Sequence, residues 1–244
     1  MNTQEFAANI ENMTIGLDDT FKFHCDQCGQ CCKHREDILL SPMDMYRLSK
    51  ELNMNPSEFF FRYCQTHVGD TSRMPIVRLR PVGSEMRCPL LKNNRCSVHK
   101  AKPSVCALYP LGRYMSIPKD EYSEEGIAGK EVKYLLQPID CGDESETHTV
   151  REWLSGFNIK LEDEAYIRWN QAISKISHTI KELEKKWDMM TMMEVWFVVR
   201  VILYEQYHID QDFLPQFEHN LDGLTTLLQD IPRLKELINR AARS

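Results

Sequence analysis

Glycine is scarce in this chain, with ten among 244 residues and no Gly-x-Gly run. A Rossmann-type fold uses such a run to bring its backbone close to a nucleotide cofactor. The chain also contains no Gly-x-Ser-x-Gly, His-Glu-x-x-His or phosphate-loop motif. The sequence therefore argues against a Rossmann-type methyltransferase and gives no support to a hydrolase or a nucleotide-driven function.

Long hydrophobic runs are missing as well. The longest apolar stretch, Val195 to Tyr204, is interrupted by Arg200 and is too short to span a bilayer. Met1 to Thr20 is polar and acidic, so it lacks the apolar core of a secretory signal. We therefore expect no membrane partner and a cytoplasmic location, where clustered cysteines are more often metal ligands or catalytic groups than disulfides.

Runs of basic residues are absent from a chain whose formal charge is -6. Lysine and arginine are scattered, with nothing longer than short pairs such as Lys185 and Lys186. This distribution predicts no nucleic-acid partner. At 244 residues and 42% hydrophobic, the chain is also long enough to bury a core without cysteine cross-links.

The nine cysteines all lie between Cys25 and Cys141, and the last 103 residues (244 minus 141) contain none. Asp140 to Thr149 is rich in Asp, Glu, Ser and Thr, which is typical of a linker. We therefore predict an N-terminal tail over 1–22, a cysteine-cluster metal-binding domain over 23–145 and a helical domain over 146–244.

The predicted fold class is mainly α with a few short strands, an irregular metal-tied N-terminal region preceding a C-terminal helical bundle. Capping residues predict helix starts at Ser41, Asn55, Thr149 and Thr191. Apolar periodicity predicts further helices over Ile167 to Leu183, Leu221 to Leu228 and Pro232 to Ala242. Short strands are expected near Ile76 to Leu79, Leu108 to Ile117 and Val132 to Leu136, with a turn at Asn93-Asn94.

Four methionines, Met189, Met190, Met192 and Met193, lie close together near two tryptophans. Thioethers can bind copper, but methionine is also an adaptable filler of irregular cores. We interpret these four as core residues and place no metal there.

Cysteines cluster first in the run Cys25-x2-Cys28-x2-Cys31-Cys32, which contains Gly29. Two residues between cysteines allow a tight turn to point both sulfurs at one metal. Three cysteines in C-x2-C-x2-C match the ferredoxin-type loop, whereas zinc loops usually supply ligands in pairs. The spacing therefore predicts a metal site, with iron–sulfur favoured over zinc.

The predicted metal ligands are eight of the nine cysteines: Cys25, Cys28, Cys31, Cys32, Cys88, Cys96, Cys106 and Cys141. Because Cys31 and Cys32 are adjacent, their side chains should diverge, so we propose two four-ligand sites. A single site of four or five ligands with spare thiols stays open. The remaining cysteine, Cys64, is predicted to be a buried small hydrophobe.

These residues resemble the CxxCxxCC family, also called YkgJ-type cysteine cluster proteins, whose members are described as zinc- or iron-chelating and include flagellin lysine N-methylases. The second signature of that family resembles Cys96-Ser97-Val98-His99, Lys102-Pro103, Cys106 and Tyr109-Pro110, with Cys88-Pro89-Leu90 before it. Three positions depart from the usual residues: His99 for an aromatic, Lys102 for arginine and Ala107 for arginine. The resemblance covers about Phe23 to Cys141.

The resemblance implies that the cysteines chelate metal. In the methylase branch it further implies an iron–sulfur cluster and S-adenosylmethionine in protein lysine methylation of a flagellin-like substrate. We therefore expect one or two iron–sulfur clusters, of the 4Fe–4S type, in redox chemistry or protein methylation. A zinc-stabilised module whose helical domain binds a partner, and a metal chaperone, remain the alternatives.

Other side chains near the cysteines could assist such a site. His99 is close enough in sequence to be a nitrogen ligand or a hydrogen-bond donor to one, and His24 and His34 flank the opening cluster. Positive charge to offset the thiolates could come from six residues. They are Lys33, Arg35, Arg78, Arg80, Arg87 and Arg113.

Overall fold

The computed structural model describes residues 10, 12–116, 122–123, 126–127, 131–230, 234 and 236. It is 46% helical and 21% strand. The described residues form seven α-helices and several small antiparallel sheets. The expected fold class, mainly α with a few strands, is therefore wrong, and the protein is mixed α/β.

The strands occupy the N-terminal 149 residues. They are β1 Thr14–Ile15, β2 Thr20–His24, β3 Leu39–Leu40, β4 Cys64–Val68, β5 Pro75–Leu79, β6 Leu91–Lys92, β7 Arg95–Cys96, β8 Leu111–Ser116, β9 Tyr122–Ser123, β10 Gly126–Ile127, β11 Glu131–Leu136 and β12 Asp143–Thr149. Two sheets have three strands, in the orders β1-β11-β8 and β3-β5-β4, and the pairs β2-β12, β6-β7 and β9-β10 complete the set.

The largest departure from the predicted fold is β12. Its seven residues are polar, and five of them in a row are exposed, so no alternation of apolar and polar residues marks it as a strand. It forms because it pairs with β2, with Thr149 opposite Thr20 and Asp143 opposite His24. The segment predicted as a linker thus belongs to a sheet, while the boundary near 145 stays a prediction.

The helices are α1 Pro42–Glu51, α2 Pro56–Tyr63, α3 Ser104–Leu108, α4 Val150–Gly156, α5 Glu164–Glu184, α6 Met189–Tyr204 and α7 Phe213–Gln229. The predicted caps at Ser41, Asn55 and Thr149 are confirmed, since each side chain accepts a hydrogen bond from the third residue after it. Helix α6 begins earlier than predicted, because Asp188 rather than Thr191 is its N-cap. Most of the helix expected over Pro232 to Ala242 lies outside the described residues.

Two hydrophobic cores underlie these elements. The larger core joins residues of the first half, such as Met45, Phe59 and Val77, to apolar side chains of α5, α6 and α7. The smaller core packs Phe21 and Phe23 of β2 against Trp153 of α4, together with residues of β8 and β11. Cys32 and Cys88 belong to the larger core, and Cys25 packs against the smaller one.

Three of the four clustered methionines are on the surface, so their interpretation as core residues is wrong for those three. Met189, Met190 and Met193 are 64%, 78% and 61% exposed, whereas Met192 is 2% exposed. All four lie in the first turns of α6, where Met192 belongs to the buried face of the helix and the other three do not. Among the described residues, no helix combines the length and apolar character needed to cross a membrane.

Candidate metal centre

The opening cysteine run follows the end of β2 at His24 and turns sharply at Gly29. Gly29 has φ +74°, and a Cβ at this position would lie 2.6 Å from the carbonyl oxygen of Asn94. Glycine is therefore needed here for two reasons. Its backbone adopts a positive φ, and the backbone of Asn94 approaches too closely to leave room for a Cβ. The turn leads into the 3₁₀ helix Gln30–Cys32, which carries the adjacent pair of cysteines.

A hairpin brings the next two cysteines to this turn. The amide of Cys88 donates to the carbonyl oxygen of Cys32 at 2.8 Å, which fixes the start of the hairpin against the opening run. Strands β6 and β7 then pair with Cys96 opposite Leu91. The two residues between the strands, Asn93 and Asn94, have φ values of 51° and 57°, as a two-residue hairpin turn requires.

Cys106 lies on the short helix α3, whose position depends on a buried aspartate. The Oδ1 atom of Asp44 accepts hydrogen bonds from the amide (2.8 Å) and hydroxyl (2.7 Å) of Ser104, the first residue of α3. Its Oδ2 atom accepts from the amide and hydroxyl of Ser41, the cap of α1. Asp44, 3% exposed, therefore ties the helix that carries Cys106 to α1.

Cys141 lies in the segment that follows the C-terminal end of strand β11. The residue after it, Gly142, has φ +75°, and a Cβ there would lie 2.3 Å from the carbonyl oxygen of His24. The Tyr109 hydroxyl accepts a hydrogen bond from the Asp140 amide at 2.8 Å and also contacts the Cys141 thiol. These contacts place Cys141 beside the opening run.

Six of the eight predicted cysteines line one cavity of about 50 Å³. They are Cys25, Cys31, Cys32, Cys88, Cys96 and Cys106. Cys141 joins them through a hydrogen bond to the Cys31 thiol, and it also lies near Cys28. The structure thus brings together thiols from the opening loop, the hairpin, α3 and the end of β11.

Cys64 lies elsewhere, as predicted. It is 3% exposed at the start of β4, and its thiol contacts the sulfur of Met45 at 3.9 Å. It is not among the residues that line the cysteine cavity. Its interpretation as a buried hydrophobic residue is confirmed.

Raised pKa values are found for five thiols of the cluster: Cys31, Cys32, Cys96, Cys106 and Cys141. A hydrogen bond with Cys32, and then burial, raise the pKa of Cys31 far above its usual value. The contact with Cys31 lowers the pKa of Cys32, but a hydrogen bond with Cys88 and burial outweigh it and raise that pKa to about 12. Burial raises the pKa of Cys106 strongly and the pKa of Cys141 to about 11. In this arrangement these five thiols keep their protons, which a metal must displace when it binds.

A buried lysine faces the cluster. Lys102 is 8% exposed, and it lines the cysteine cavity. Its positive charge acts on Cys31, Cys96 and Cys106, in each case lowering the thiol pKa against the effect of burial. No carboxylate among the described residues pairs with it. In the sequence, Lys102 stands out only as a departure from the arginine of the second signature. Its burial could not be predicted, because it involves Phe157, which lies 55 residues later in the chain.

Most of the basic residues expected to serve the site are engaged elsewhere. Arg78 pairs with Glu36, Arg87 with Glu85 and Arg113 with Asp163, and Arg80 donates to carbonyl oxygens of α2. Arg35 is the exception, because its charge acts on Cys106 and Cys31 while it pairs with Asp37. Lys102 and Arg35 are thus the cations that reach the thiols.

The three histidines near the cysteines also differ in whether they lie at the cysteine cavity. His99 lines the cysteine cavity, and burial, followed by the charge of Lys102, lowers its pKa. His24 instead contacts Glu146, with 3.1 Å between Nδ1 and Oε1, and this hydrogen bond raises the pKa of His24. His34 is exposed. Of the three, His99 is therefore the one that lines the cysteine cavity.

Comparison with known proteins agrees with this geometry. Residues 24–131 match the model of the family CxxCxxCC, described as "Putative zinc- or iron-chelating domain". Over this range the chain is similar to a CxxCxxCC domain. The resemblance predicted from the cysteine spacing is confirmed, and the match includes every clustered cysteine except Cys141. No curated protein and no solved structure matches the chain.

The chemistry of the CxxCxxCC domain fits the zinc or iron of its description. Thiolates are preferred ligands of zinc and of iron–sulfur clusters, and a cation that lacks a carboxylate partner suits an anionic metal–thiolate group. Among the described residues, no three His, Cys, Asp or Glu side chains stand in a finished metal-binding arrangement.

Proposed function

We propose that the eight clustered cysteines bind one or two iron–sulfur clusters, of the 4Fe–4S type. The observation that carries the proposal is the single cavity lined by six of them, with Cys141 beside Cys31 and Cys28 near Cys141. Three of the eight come from the C-x2-C-x2-C loop, which is the arrangement that wraps a cubane cluster in ferredoxins. The positive charges of Lys102 and Arg35 would offset the charge of a thiolate-bound cluster.

Two sites are favoured by the different partners of the adjacent cysteines. The thiol of Cys31 contacts Cys141, whereas the thiol of Cys32 contacts Cys88. The two thiols also hydrogen-bond each other, but their further partners differ, and this difference supports two metal sites rather than one. We therefore assign Cys31 and Cys141 to one site and Cys32 and Cys88 to the other.

Zinc is the second candidate, and the family description gives it equal standing. Its support in this chain is that the thiols come from four segments that lie far apart in the sequence. A zinc ion that joins such segments contributes directly to folding free energy. In that case the helices after residue 149 would bind a protein partner. Alternatively, the thiols would carry metal to another protein, as in a metal chaperone.

For the reaction, we propose redox chemistry or protein lysine methylation with S-adenosylmethionine. The support for methylation is the family resemblance, and the support for either reaction is a cluster close to solvent, since Cys28 is exposed. The role of this chain's residues would be to hold the cluster and balance its charge. Lys102 and Arg35 are the residues placed to do so.

The test is metal and acid-labile sulfide analysis, with a visible spectrum, on the full chain purified without oxygen. Iron and sulfide at roughly four to eight atoms per chain would support one or two cubane clusters. Zinc at about one or two per chain without sulfide would replace the iron–sulfur proposal with the structural one. Turnover of S-adenosylmethionine is worth assaying only in the first case.

A further inference from the structure

A second cavity, of about 470 Å³, lies where the two halves of the chain meet. One wall is formed by the start of α1 and by α3, and the opposite wall by α5 and two aromatic residues of α7. Ligand cavities of proteins commonly fall between about 300 and 1,000 Å³ and often lie at such junctions. The cavity is large enough for a small organic molecule.

Aromatic side chains of α5 and α7 line this cavity. Trp169 of α5 is held by edge-on contacts, with its ring centre 5.6 Å from that of Tyr204 and 6.4 Å from that of Phe217. One turn earlier, the Tyr166 ring packs against the Arg113 guanidinium, 3.6 Å from the ring centre. Braced rings of this kind favour a planar aromatic ligand, because stacking adds to the gain from apolar burial.

Every charged group that lines the cavity already has a partner. Arg113 pairs with Asp163 at 2.8 Å, and its side chain is 6% exposed. Asp37 pairs with Arg35 at 2.5 Å. Asp44 accepts the four hydrogen bonds described above from two serines. An anionic ligand would meet no unpaired cation here, and a cationic ligand would meet carboxylates whose oxygens already accept hydrogen bonds or ion pairs, so either would lose hydration without a free partner.

Polar groups that could orient an uncharged ligand are present. The side-chain amide of Gln137 lines the cavity and has no hydrogen-bond partner among the described residues. The amide of Asn170 also lines it, with its nitrogen donating to the Tyr166 carbonyl oxygen at 2.8 Å. An amide offers both a donor and an acceptor, so it can meet a ring N–H or a ring nitrogen.

We propose that this cavity binds a small, uncharged, planar aromatic heterocycle between the Trp169 wall and helix α3. The site is distinct from the cysteine cluster but adjacent to it. Ser104, Val105 and Leu108 of α3 line this cavity, whereas Cys106 of the same helix lines the cysteine cavity. The proposal does not depend on which metal the cysteines bind.

The test uses three probes that share one ring system: indole, indole-3-acetate and tryptamine. Binding to the full-length, metal-loaded protein is measured by calorimetric titration and by saturation-transfer NMR. We expect indole to bind, and the anionic and cationic derivatives to bind about tenfold more weakly or worse. Absence of indole binding, or equal binding of a charged derivative, would overturn the proposal.

Two filling variants locate the site. Ile173→Trp from α5 and Met43→Trp from α1 both place a large ring into the cavity, and each should weaken indole binding about tenfold or more. The matched control is Ile202→Trp, which fills a separate groove of about 490 Å³ between α6 and α7. Circular dichroism checks that each variant folds. Loss of binding in the control, or retention in a folded filling variant, would overturn the assignment.

The metal content of the same variants separates this proposal from the iron–sulfur one. Neither filled position is among the residues that line the cysteine cavity, so metal content should match that of the unmodified protein. Failure of indole to bind leaves the metal analysis unaffected. Absence of iron leaves the indole titration unaffected.

Discussion

The ammonium of Lys102 lies 4.2 Å from the centre of the Phe157 ring. The aromatic face partly replaces the hydration that this charge loses on burial. A buried cation without a carboxylate is costly unless another negative group is present when the protein works. Deprotonated cysteines with a bound metal would supply that negative charge.

The first prediction follows from this lysine. Lys102→Met should raise the stability of the metal-free protein by about 1 kcal/mol, because an unpaired buried charge is removed. The same change should lower metal affinity about tenfold, because the charge that offsets the thiolates is lost. Thermal unfolding of the metal-free form and a chelator competition measure the two effects.

Two further variants of this region serve as controls. Lys102→Arg retains the positive charge, so it should keep most of the metal affinity. Lys100→Met removes a nearby exposed charge and should change neither quantity beyond the small effect of a surface substitution. Equal metal affinity in Lys102→Met and Lys100→Met would refute the role of Lys102.

The second prediction separates the clustered cysteines from the buried one. Cys28→Ser removes a thiol of the cluster and should reduce metal content and solubility. Cys64→Ser should keep the full metal content but lose about 1–3 kcal/mol of stability, since it places a hydroxyl in an apolar site. Elemental analysis and thermal unfolding of both variants give the comparison. The same metal content in both would show that the ligand assignment is wrong.

Local patterns predicted the helix starts, because a cap depends only on residues within one turn. Ser41, Asn55 and Thr149 are caps in the structure as predicted. Strand β12 could not be predicted, because its polar residues form a strand only by pairing with β2, more than 100 residues away. Underestimating such strands led to the wrong fold class.

In the candidate site, too, the features set by nearby residues could be predicted and those set by distant residues could not. Spacing identified the eight cysteines, and the structure brings them together. The contacts of Cys31 with Cys141 and of Cys32 with Cys88 could not be predicted, because they depend on how distant segments fold over the opening loop. The burial of Lys102 depends in the same way on α4 and Phe157.

The third prediction concerns metal removal. If metal joins the cysteine segments, chelation should increase amide hydrogen exchange in residues 25–32 and 88–106, which carry seven of the eight clustered cysteines. Amides of α6 and α7 should keep their protection, since their apolar side chains form the larger core. Hydrogen-exchange mass spectrometry before and after chelation measures both regions. Uniform loss of protection would indicate that the chain unfolds as one unit without metal.

The last prediction compares two glycines with similar backbone conformations. Gly29 has φ +74° and Gly83 has φ +71°, so alanine is strained at both positions by about 1 kcal/mol. At Gly83 a Cβ would meet no atom within 4 Å, whereas at Gly29 it would lie 2.6 Å from the Asn94 carbonyl oxygen. Gly29→Ala must therefore push the hairpin away from the opening loop, and with it Cys88 and Cys96.

We expect Gly29→Ala to lower both metal content and stability, and Gly83→Ala to lower stability alone by the smaller amount that strain accounts for. Elemental analysis with thermal unfolding of the two variants provides the measurement. If both variants lost the same stability and kept their metal, the close approach of the hairpin to Gly29 would not be what holds the two cysteine segments together.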